Sequence, residues 1–227
     1  GVALTVVRVT VTRGDSLEAA ARAARYRAFA ALPADFIVLA HNLDDQAETV
    51  FLQLLRGAGV KGLSAMPVVR GLILRPLLEI PRSEIEAYAR QRKLEWIEDD
   101  SNADPGFDRN FLRHEVMPVI ARRYPSYRKT LLRASRNFAE AAQLLGELAA
   151  LDAGFTAHGL KLAAVRGLSA ARAKNVLRHF LAAHDVVMPN AARLDECVRQ
   201  LLQARRGTRT VIDLGGHELR RFADELR

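Results

Sequence analysis

The sequence predicts an α/β domain built on a parallel sheet, followed by a mostly helical second domain. In the first half, short apolar stretches alternate with helical periodicity, an order typical of strands joined by crossover helices. The second half carries long helical patterns and few strand signals. We therefore predict an α/β domain over residues 1–125 and a basic helical domain over residues 126–227, with Pro125 at the boundary.

The composition favours a folded protein without a membrane span. Of the 227 residues 49% are hydrophobic, and no run of 18 apolar residues occurs. The amino terminus lacks the charge pattern of a signal peptide. A single cysteine, Cys197, excludes an internal disulfide and a cysteine-based metal site within one chain. These features predict a cytoplasmic location.

The positive charge is concentrated in the second half. The net charge is +8, and residues 1–125 hold 17 Lys and Arg against 16 Asp and Glu. Residues 126–227 hold 17 against 10. Such asymmetry indicates a surface for a polyanion such as nucleic acid, although charge that merely keeps a protein dispersed would look the same.

The first elements are predicted as strand, helix and strand. Residues 4–11 are rich in β-branched side chains, which favour a strand. Asp15 and Glu18 form a capping pair for a helix that ends before Pro33. Residues 36–40, FIVLA, are too few for a helix and predict a fully buried strand.

A polar turn and a helix follow this strand. Apolar residues recur at helical spacing up to Gly57, which can take the left-handed conformation that ends a helix. The turn falls at the carboxyl end of the strand, where open α/β sheets bind ligands. Asp44 and Glu48 are four residues apart on the helix, and Asp45 and Glu48 three, so the three carboxylates share a face.

Two interpretations of these carboxylates stay open on spacing alone. Mg²⁺ is bound by one or two carboxylates together with substrate phosphates. The helix dipole also favours acidic residues in a first turn without any ligand. The glycine-rich segment at 56–66, RGAGVKGLSAM, favours a ligand site.

The remaining elements complete the two domains. Residues 72–74 predict a strand, and residues 82–93 a helix with Pro81 in its first turn. Asp108 is predicted to cap a helix that Pro118 interrupts. The second half predicts helices over about 127–151, 169–183 and 191–204, a short strand over 159–162, and a hairpin of residues 210–214 and 218–222.

Three segments carry recognisable motifs: EAAARAARYRAFA, HNLDDQAETVFLQLLRGAGVKGLSAMP and WIEDDSNADPGFDRNFLRHEVMP. In this order they resemble the tRNA(Ile)-lysidine synthetase family of PP-loop (N-type) ATP pyrophosphatases, over roughly the first 120 residues. The second half is similar to the substrate-recognition domain of that family. The resemblance implies an adenine-nucleotide α-hydrolase-like fold for the first domain.

The resemblance also implies a reaction. ATP with Mg²⁺ adenylates the C2 oxygen of the wobble cytidine in tRNA(Ile) with a CAU anticodon. The amine of L-lysine then attacks C2 and AMP leaves, which forms lysidine. The expected partners are this tRNA and L-lysine, with no membrane; the oligomeric state stays open, with a homodimer as one alternative.

The resemblance assigns roles to individual residues. Asp45, Glu48 and Arg113 are expected to be catalytic, with Asp45 and Glu48 holding Mg²⁺ or orienting the ammonium group of lysine. Asp44 either assists them or only caps the helix, and His41 packs the turn in preference to acting as a general base. The residues expected to bind nucleotide or substrate are His41, Asp44, Arg25, Arg56 and Gly57, and those expected to contact tRNA are Arg109, Asn110 and Arg133.

One hallmark of this family does not occur in the sequence. PP-loop enzymes bind the pyrophosphate of ATP with an SGG-containing loop after the first strand, and no SGG followed by Asp-Ser is present. The segment at 57–62, GAGVKG, is no substitute, because it follows a helix and lacks a hydroxyl. We therefore expect an N-terminal phosphate loop to be missing, and these 227 residues alone to form no lysidine.

A second class of function competes with the ligase. The basic charge of residues 126–227 and the missing loop also fit a non-catalytic tRNA-binding module that retains a degenerate nucleotide-binding fold. The related tRNA thiolation enzymes are disfavoured, because they use cysteines and Cys197 stands alone in the second half. Transfer of lysine to tRNA would separate the ligase from the binding module.

Overall fold

A computed structural model describes residues 4–11, 17–97, 106–156, 159–203, 211–214, 216–222 and 225–226. The chain divides into two units. Unit 1 comprises Gly1–Ala58 and Ala65–Ser135, and unit 2 comprises Gly59–Ser64 and Arg136–Arg227. The division falls within a long helix, and the predicted domain boundary at Pro125 stays a prediction.

Unit 1 contains a three-stranded sheet. Strands β1 (Ile37–Val38), β2 (Val69–Arg70) and β3 (Ile73–Leu74) lie in the order β1-β3-β2. As predicted for an α/β domain, β1 and β3 are parallel, with Ile37 opposite Ile73, whereas β2 is antiparallel to β3. The segment after β1 therefore leaves the sheet at its carboxyl edge, where ligands of such folds bind.

Helices account for most of the remaining chain of unit 1. The predicted helix after β1 is confirmed, and Gly57 follows it with a φ of 67°. The helices are α1 (Leu17–Ala30), α2 (Leu43–Leu55), α3 (Val60–Leu63, in unit 2), α4 (Arg82–Gln91), α5 (Asp108–Phe111), α6 (Met117–Arg123) and α7 (Tyr127–Asp152, shared by both units). Asp15, predicted to begin α1, lies outside the described residues.

Two strand predictions are wrong. Residues 4–11 form no strand, and Leu4 is 88% exposed. The strand predicted over 36–40 is only β1, and Phe36 and Val38 are exposed rather than buried. β-branched residues supply propensity, but a strand also needs partners. Among the described strands, β1 is an edge strand that pairs on one side only.

The predicted effect of Pro118 is also wrong, because the helical path continues through it. Residues Leu112–Val116 form a π-helical turn that joins α5 to α6. Proline clashes with the carbonyl four residues earlier in an α-helix and has no N–H to donate. The wider π turn precedes the proline, which then occupies the first turn of α6, where an N–H is not required. Asp108 lies inside α5, whose N-cap residue is Phe107.

Unit 2 combines helices with an antiparallel sheet. The predicted helices, the short strand and the hairpin are confirmed, and one further strand completes a sheet of order β4-β7-β6-β5. The elements are β4 (Leu160–Lys161), α8 (Leu162–Arg166), α9 (Ala170–Ala183), α10 (Ala191–Gln203), β5 (Val211–Asp213), β6 (Glu218–Phe222) and β7 (Glu225–Leu226).

The largest hydrophobic core lies in unit 2. Leu177 and Leu181 of α9 pack with Leu194 and Cys197 of α10, and Ile212 of β5 joins the same cluster. Burial of such side chains contributes about 1.5–3 kcal/mol each relative to exposure. Helices α9 and α10 and the sheet of unit 2 therefore share one hydrophobic core. Across the described chain, no helix has the length and apolar character needed to cross a membrane.

Candidate functional site

The site begins at the amino end of α2, directly after β1. Asn42 caps the helix, and its side-chain oxygen accepts hydrogen bonds from the backbone N–H groups of Asp44 and Asp45 at 3.0 and 3.1 Å. One carboxylate oxygen of Asp45, Oδ2, accepts from the Asn42 N–H at 3.0 Å. This reciprocal capping box fixes the orientation of Asp45 and holds the other oxygen, Oδ1, toward the following turn.

Arg113, in the π-helical turn, binds two of the predicted carboxylates. Its Nε and Nη2 donate to Oε1 and Oε2 of Glu48 at 2.7 and 2.9 Å, and Nη2 also reaches Oδ1 of Asp45 at 3.3 Å. The predicted catalytic residues Asp45, Glu48 and Arg113 therefore lie together. The Arg113 guanidinium relieves the repulsion expected between the neighbouring carboxylates.

Glu48 is the most buried member of this cluster. Its side chain is 3% exposed, whereas the side chains of Arg113 and Asp45 are 22% and 17% exposed. Burial raises the pKa of Glu48 above its ordinary value, and the hydrogen bonds from Arg113 oppose that rise. The same bonds raise the pKa of Arg113. A charged carboxylate at this position therefore depends on the neighbouring arginines.

Arg109 is the second arginine on Glu48. Its Nε lies 3.3 Å from Oε2 of Glu48, and its Nη2 donates to the hydroxyl of Thr49 at 3.1 Å. The sequence assigned Arg109 to tRNA contact, and the structure brings it to the carboxylates on α2. A role in tRNA contact stays a proposal. The geometry favours Arg109 as a residue that positions Glu48.

Asp44 has partners of its own. Its Oδ2 accepts from the backbone N–H of Arg82 at 2.9 Å, at the start of α4, and its Oδ1 accepts from Nε of Arg128 at 2.5 Å. The Arg128 guanidinium also lies 4.7 Å from the centre of the Tyr127 ring. Asp44 thus joins the ends of two further helices to α2 instead of capping α2.

A cavity of about 280 Å³ adjoins these groups within unit 1. One part of its wall carries the carboxylates of Asp44 and Glu48 beside arginine side chains. Another part is apolar and comes from α6. The lining residues are Asp44, Glu48, Arg82, Arg113, Met117, Pro118, Ala121, Tyr127 and Arg128. A cavity with both charges and an apolar wall suits a small zwitterion that has an aliphatic chain.

His41 lies between β1 and α2 and is half-buried. Burial lowers its pKa, and nearby Arg75, Arg109 and Arg22 lower it further, whereas Asp45 opposes them. The Nδ1 atom of His41 is buried without a hydrogen-bond partner in the described structure, as are Nε of Arg75 and Nε of Arg109. Buried polar atoms are normally paired, and of these three, Nε of Arg109 still lies 3.3 Å from Oε2 of Glu48 in an ion pair.

The segment after α2 is held by buried side chains that the sequence did not indicate. The amide of Gln46 donates to the Met66 carbonyl at 2.9 Å and accepts from the Met66 N–H at 3.1 Å. Arg75, which is 1% exposed, donates to the Pro67 carbonyl at 2.9 Å and to the Tyr26 hydroxyl at 3.2 Å. These bonds fix residues 66 and 67, and no local sequence pattern predicts the bonds.

The other predicted residues lie apart from the carboxylates or make different contacts. Arg56 forms an exposed ion pair with Asp108 at 3.0 Å. Arg25 on α1 and Arg133 on α7 are exposed, and Asn110 is 7% exposed. Their predicted roles in binding nucleotide, substrate or tRNA stay predictions.

The carboxylates predicted to bind Mg²⁺ accept hydrogen bonds from protein groups in this structure. All four oxygens of Asp45 and Glu48 accept hydrogen bonds from Asn42 or Arg113. In the described part of the chain, no group of three or more His, Cys, Asp and Glu side chains could hold a metal ion. Binding of Mg²⁺ by Asp45 and Glu48 stays a prediction, and it would use the lone pairs that these hydrogen bonds leave on the carboxylate oxygens.

Comparison with known proteins agrees with the fold predicted for the first domain. The PP-loop domain model matches residues 1–120, more than half of the chain, so the chain belongs to the PP-loop family. The TilS substrate binding domain model matches residues 160–227. The predicted PP-loop fold is thereby confirmed for the first domain.

The particular relatives are tRNA(Ile)-lysidine synthases, which confirms the resemblance found in the sequence. The enzyme of that name from Nitrosomonas europaea is 51% identical over 209 residues, which cover 87% of this chain and 46% of that protein. The one from Chromobacterium violaceum is 44% identical over 228 residues, 97% of this chain and 52% of that protein. The chain thus spans about half the length of the curated relatives it matches.

A solved structure of the tRNA thiolase NcsA from Methanococcus maripaludis with its [4Fe-4S] cluster is 20% identical. The match covers 55% of this chain and 43% of that chain, with a TM-score of 0.43. A likeness of this size supports no inference about activity.

Proposed function

We propose that the protein of which these residues form part ligates lysine to C2 of the wobble cytidine in tRNA(Ile) with a CAU anticodon, using ATP. The observation that carries this proposal is the Asp45–Glu48–Arg113 cluster beside a mixed polar and apolar cavity. Its PP-loop family and the names of its relatives support the same reaction class. A cytoplasmic location accompanies this proposal.

The cavity is the proposed site for L-lysine. The aliphatic chain of lysine would lie along Met117, Pro118 and Ala121, and its ammonium group would face the carboxylates of Asp44 and Glu48. The arginines of the same wall would face the carboxylate of lysine. Burial and opposite charge would hold the amine in one orientation for attack on the activated base.

Two chemical steps follow from this proposal. The C2 oxygen of the cytidine attacks the α-phosphorus of ATP and pyrophosphate leaves; the lysine amine then attacks C2 and AMP leaves. Negative charge develops on the phosphate oxygens in the first step, and the guanidinium groups near His41 would stabilise it. When bound, Mg²⁺ would supply further charge neutralisation; we propose Asp45 and Glu48 as its ligands.

Transfer of radiolabelled lysine to a tRNA(Ile) transcript tests the proposal, with the gene product that contains these residues and with the 227-residue chain alone. Asp45→Asn should reduce transfer at least about 100-fold, because it removes charge from the site. The matched control is Asp35→Asn, an exposed acidic residue outside the cluster. Transfer by Asp45→Asn at the unmodified rate would refute the assignment.

The alternative is a tRNA-binding module without catalysis. The observation that favours it is the excess of 17 basic over 10 acidic residues in 126–227. In that case the chain would bind tRNA with a steep salt dependence and without an effect of ATP. Asp45→Asn separates the two functions, since it should abolish lysine transfer and leave tRNA binding almost unchanged.

A further inference from the structure

An aromatic patch lies on the surface of unit 2, remote in sequence from the PP-loop motifs. The ring of Phe155 stacks on Phe180, with an interplanar angle of 11° and 6.4 Å between centroids. His179 lies 5.5 Å from Phe155, and His184 lies 4.6 Å from Phe180. We call these four residues the aromatic patch.

The patch consists of one buried ring and three exposed rings. Phe180 is 5% exposed and belongs to the core of unit 2, whereas Phe155 is 38% exposed. His179 and His184 are exposed as well. Phe155 thus lies beside a core residue, while part of its ring and two imidazole rings are exposed. Such rigid, supported rings lose little conformational freedom when a planar ligand stacks on them.

Two exposed cations belong to the segments that carry the patch. The stem of Lys161 packs against Gly154, next to Phe155, where an added Cβ would lie 3.1 Å from Lys161 Cδ. Arg178 precedes His179 on α9 and is exposed. Within the described residues, neither the Lys161 ammonium nor the Arg178 guanidinium has a carboxylate partner. Other cations of this unit, such as Arg172 and Arg220, do form ion pairs.

We propose that the aromatic patch is an RNA contact, in which an unpaired nucleobase stacks on Phe155 and the adjoining phosphates lie near Lys161 and Arg178. Aromatic rings that alternate with cations are the usual means of holding unpaired bases. The net excess of seven positive charges in residues 126–227 complements the RNA backbone. This inference rests on the proposed function, since it names the surface by which the tRNA substrate is held.

The test measures binding of an unmodified tRNA(Ile) transcript to the 227-residue chain by fluorescence anisotropy at several salt concentrations. Phe155→Leu, which keeps apolar volume but cannot stack, should weaken binding about 5- to 100-fold. Phe155→Tyr, which retains a stacking ring, should bind within about twofold of the original chain. Equal affinity of Phe155→Leu and the original chain, or equal losses in both variants, would overturn the inference.

The cations provide an independent measurement. Lys161→Ala and Arg178→Ala should each lower affinity and reduce the slope of log affinity against log salt by about 1. Arg220→Ala, whose guanidinium is already paired with Glu218, is the matched control. Unchanged slopes in both variants would remove the phosphate contacts from the proposal.

If Phe155→Leu fails to fold, tryptophan fluorescence of a second variant tests the same contact. In the double variant Trp96→Phe, Phe155→Trp, the tryptophan at the patch is the only one in the chain. Stacked bases should quench its fluorescence when tRNA is added, and an unchanged signal at saturating tRNA would refute the contact. If the original chain binds no tRNA, this inference fails, whereas the proposed function is tested separately by lysine transfer with the gene product that contains these residues. If it binds tRNA and Phe155→Leu binds equally well, only the patch fails.

Discussion

Arg113 binds both carboxylate oxygens of Glu48, at 2.7 and 2.9 Å, across 65 residues of sequence. The glutamate is almost fully buried and the arginine only partly so. The pair therefore joins α2 to the π-helical turn and keeps a charge inside unit 1. Breaking such a pair costs more than the pair itself contributes, because the remaining charge stays buried without a partner.

We expect Arg113→Ala to lower the free energy of unfolding by about 3–5 kcal/mol, because it leaves Glu48 buried with Arg109 as its remaining cation. Urea unfolding monitored by circular dichroism measures this loss. Arg56→Ala is the control, since its ion pair with Asp108 is exposed and should contribute at most about 1 kcal/mol. Similar losses in the two variants would contradict the burial argument.

The pKa of His41 should lie below the ordinary 6.5, because burial and the nearby arginines disfavour its charged form. An NMR titration of the ring protons, assigned with His41→Asn, measures it directly. Between pH 6.5 and the lower folded pKa, the unfolded chain binds a proton that the folded chain does not. The contribution of His41 to stability therefore falls as the pH falls through that window. A folded pKa above 6.5 would refute this prediction.

Gly57→Ala should lower the free energy of unfolding by about 1 kcal/mol. The φ of Gly57 is 67°, a conformation that a side chain disfavours, and no atom lies within 4 Å of an added Cβ. Gly59→Ala is a close control, because that position has equal space and a φ of −74°. Thermal unfolding of both variants measures the difference. Equal melting temperatures would show that the conformation at Gly57 costs alanine nothing.

Gln46→Ala should destabilise unit 1 by about 2 kcal/mol or more, because it leaves the Met66 N–H and carbonyl without their hydrogen bonds. Amide hydrogen exchange at Met66 should accelerate in the same variant. Gln53 lies on the same helix, and its side chain makes no hydrogen bond within the described part of the chain, so Gln53→Ala serves as the control. Slow exchange at Met66 in Gln46→Ala would mean that another group holds this segment.

The features that the sequence predicted most accurately are those set by residues close together along the chain. The limits of α2, the left-handed Gly57 and the shared face of Asp45 and Glu48 follow from caps and periodicity. The hairpin of β5 and β6 follows from strand propensity around glycines. These features need no knowledge of the rest of the chain.

Features that depend on distant partners could not be predicted in the same way. Nothing near Arg128 or Gln46 indicates their bonds to Asp44 and Met66, because those partners come together only in the folded chain. The β-branched run at 4–11 has the propensity of a strand, yet it pairs with no strand among the described residues. The sequence placed Arg113 and Glu48 in the same site, but it did not predict the hydrogen bonds between them.

The π-helical turn aligns two kinds of contact on one side of the helical path from α5 to α6. Arg109 and Arg113 contact Glu48, and Met117 packs with Ala47. In a continuous α-helix each four-residue step overshoots a full turn by about 40°, whereas the wider π turn absorbs that excess. Removal of one codon between residues 113 and 117 would restore the narrower winding and leave Met117 three α-helical steps after Arg113, about 60° short of a full turn. A one-residue deletion there would shift the apolar contact of Met117 relative to the charged contacts of Arg109 and Arg113, so a change in length should disturb both sets of contacts at once.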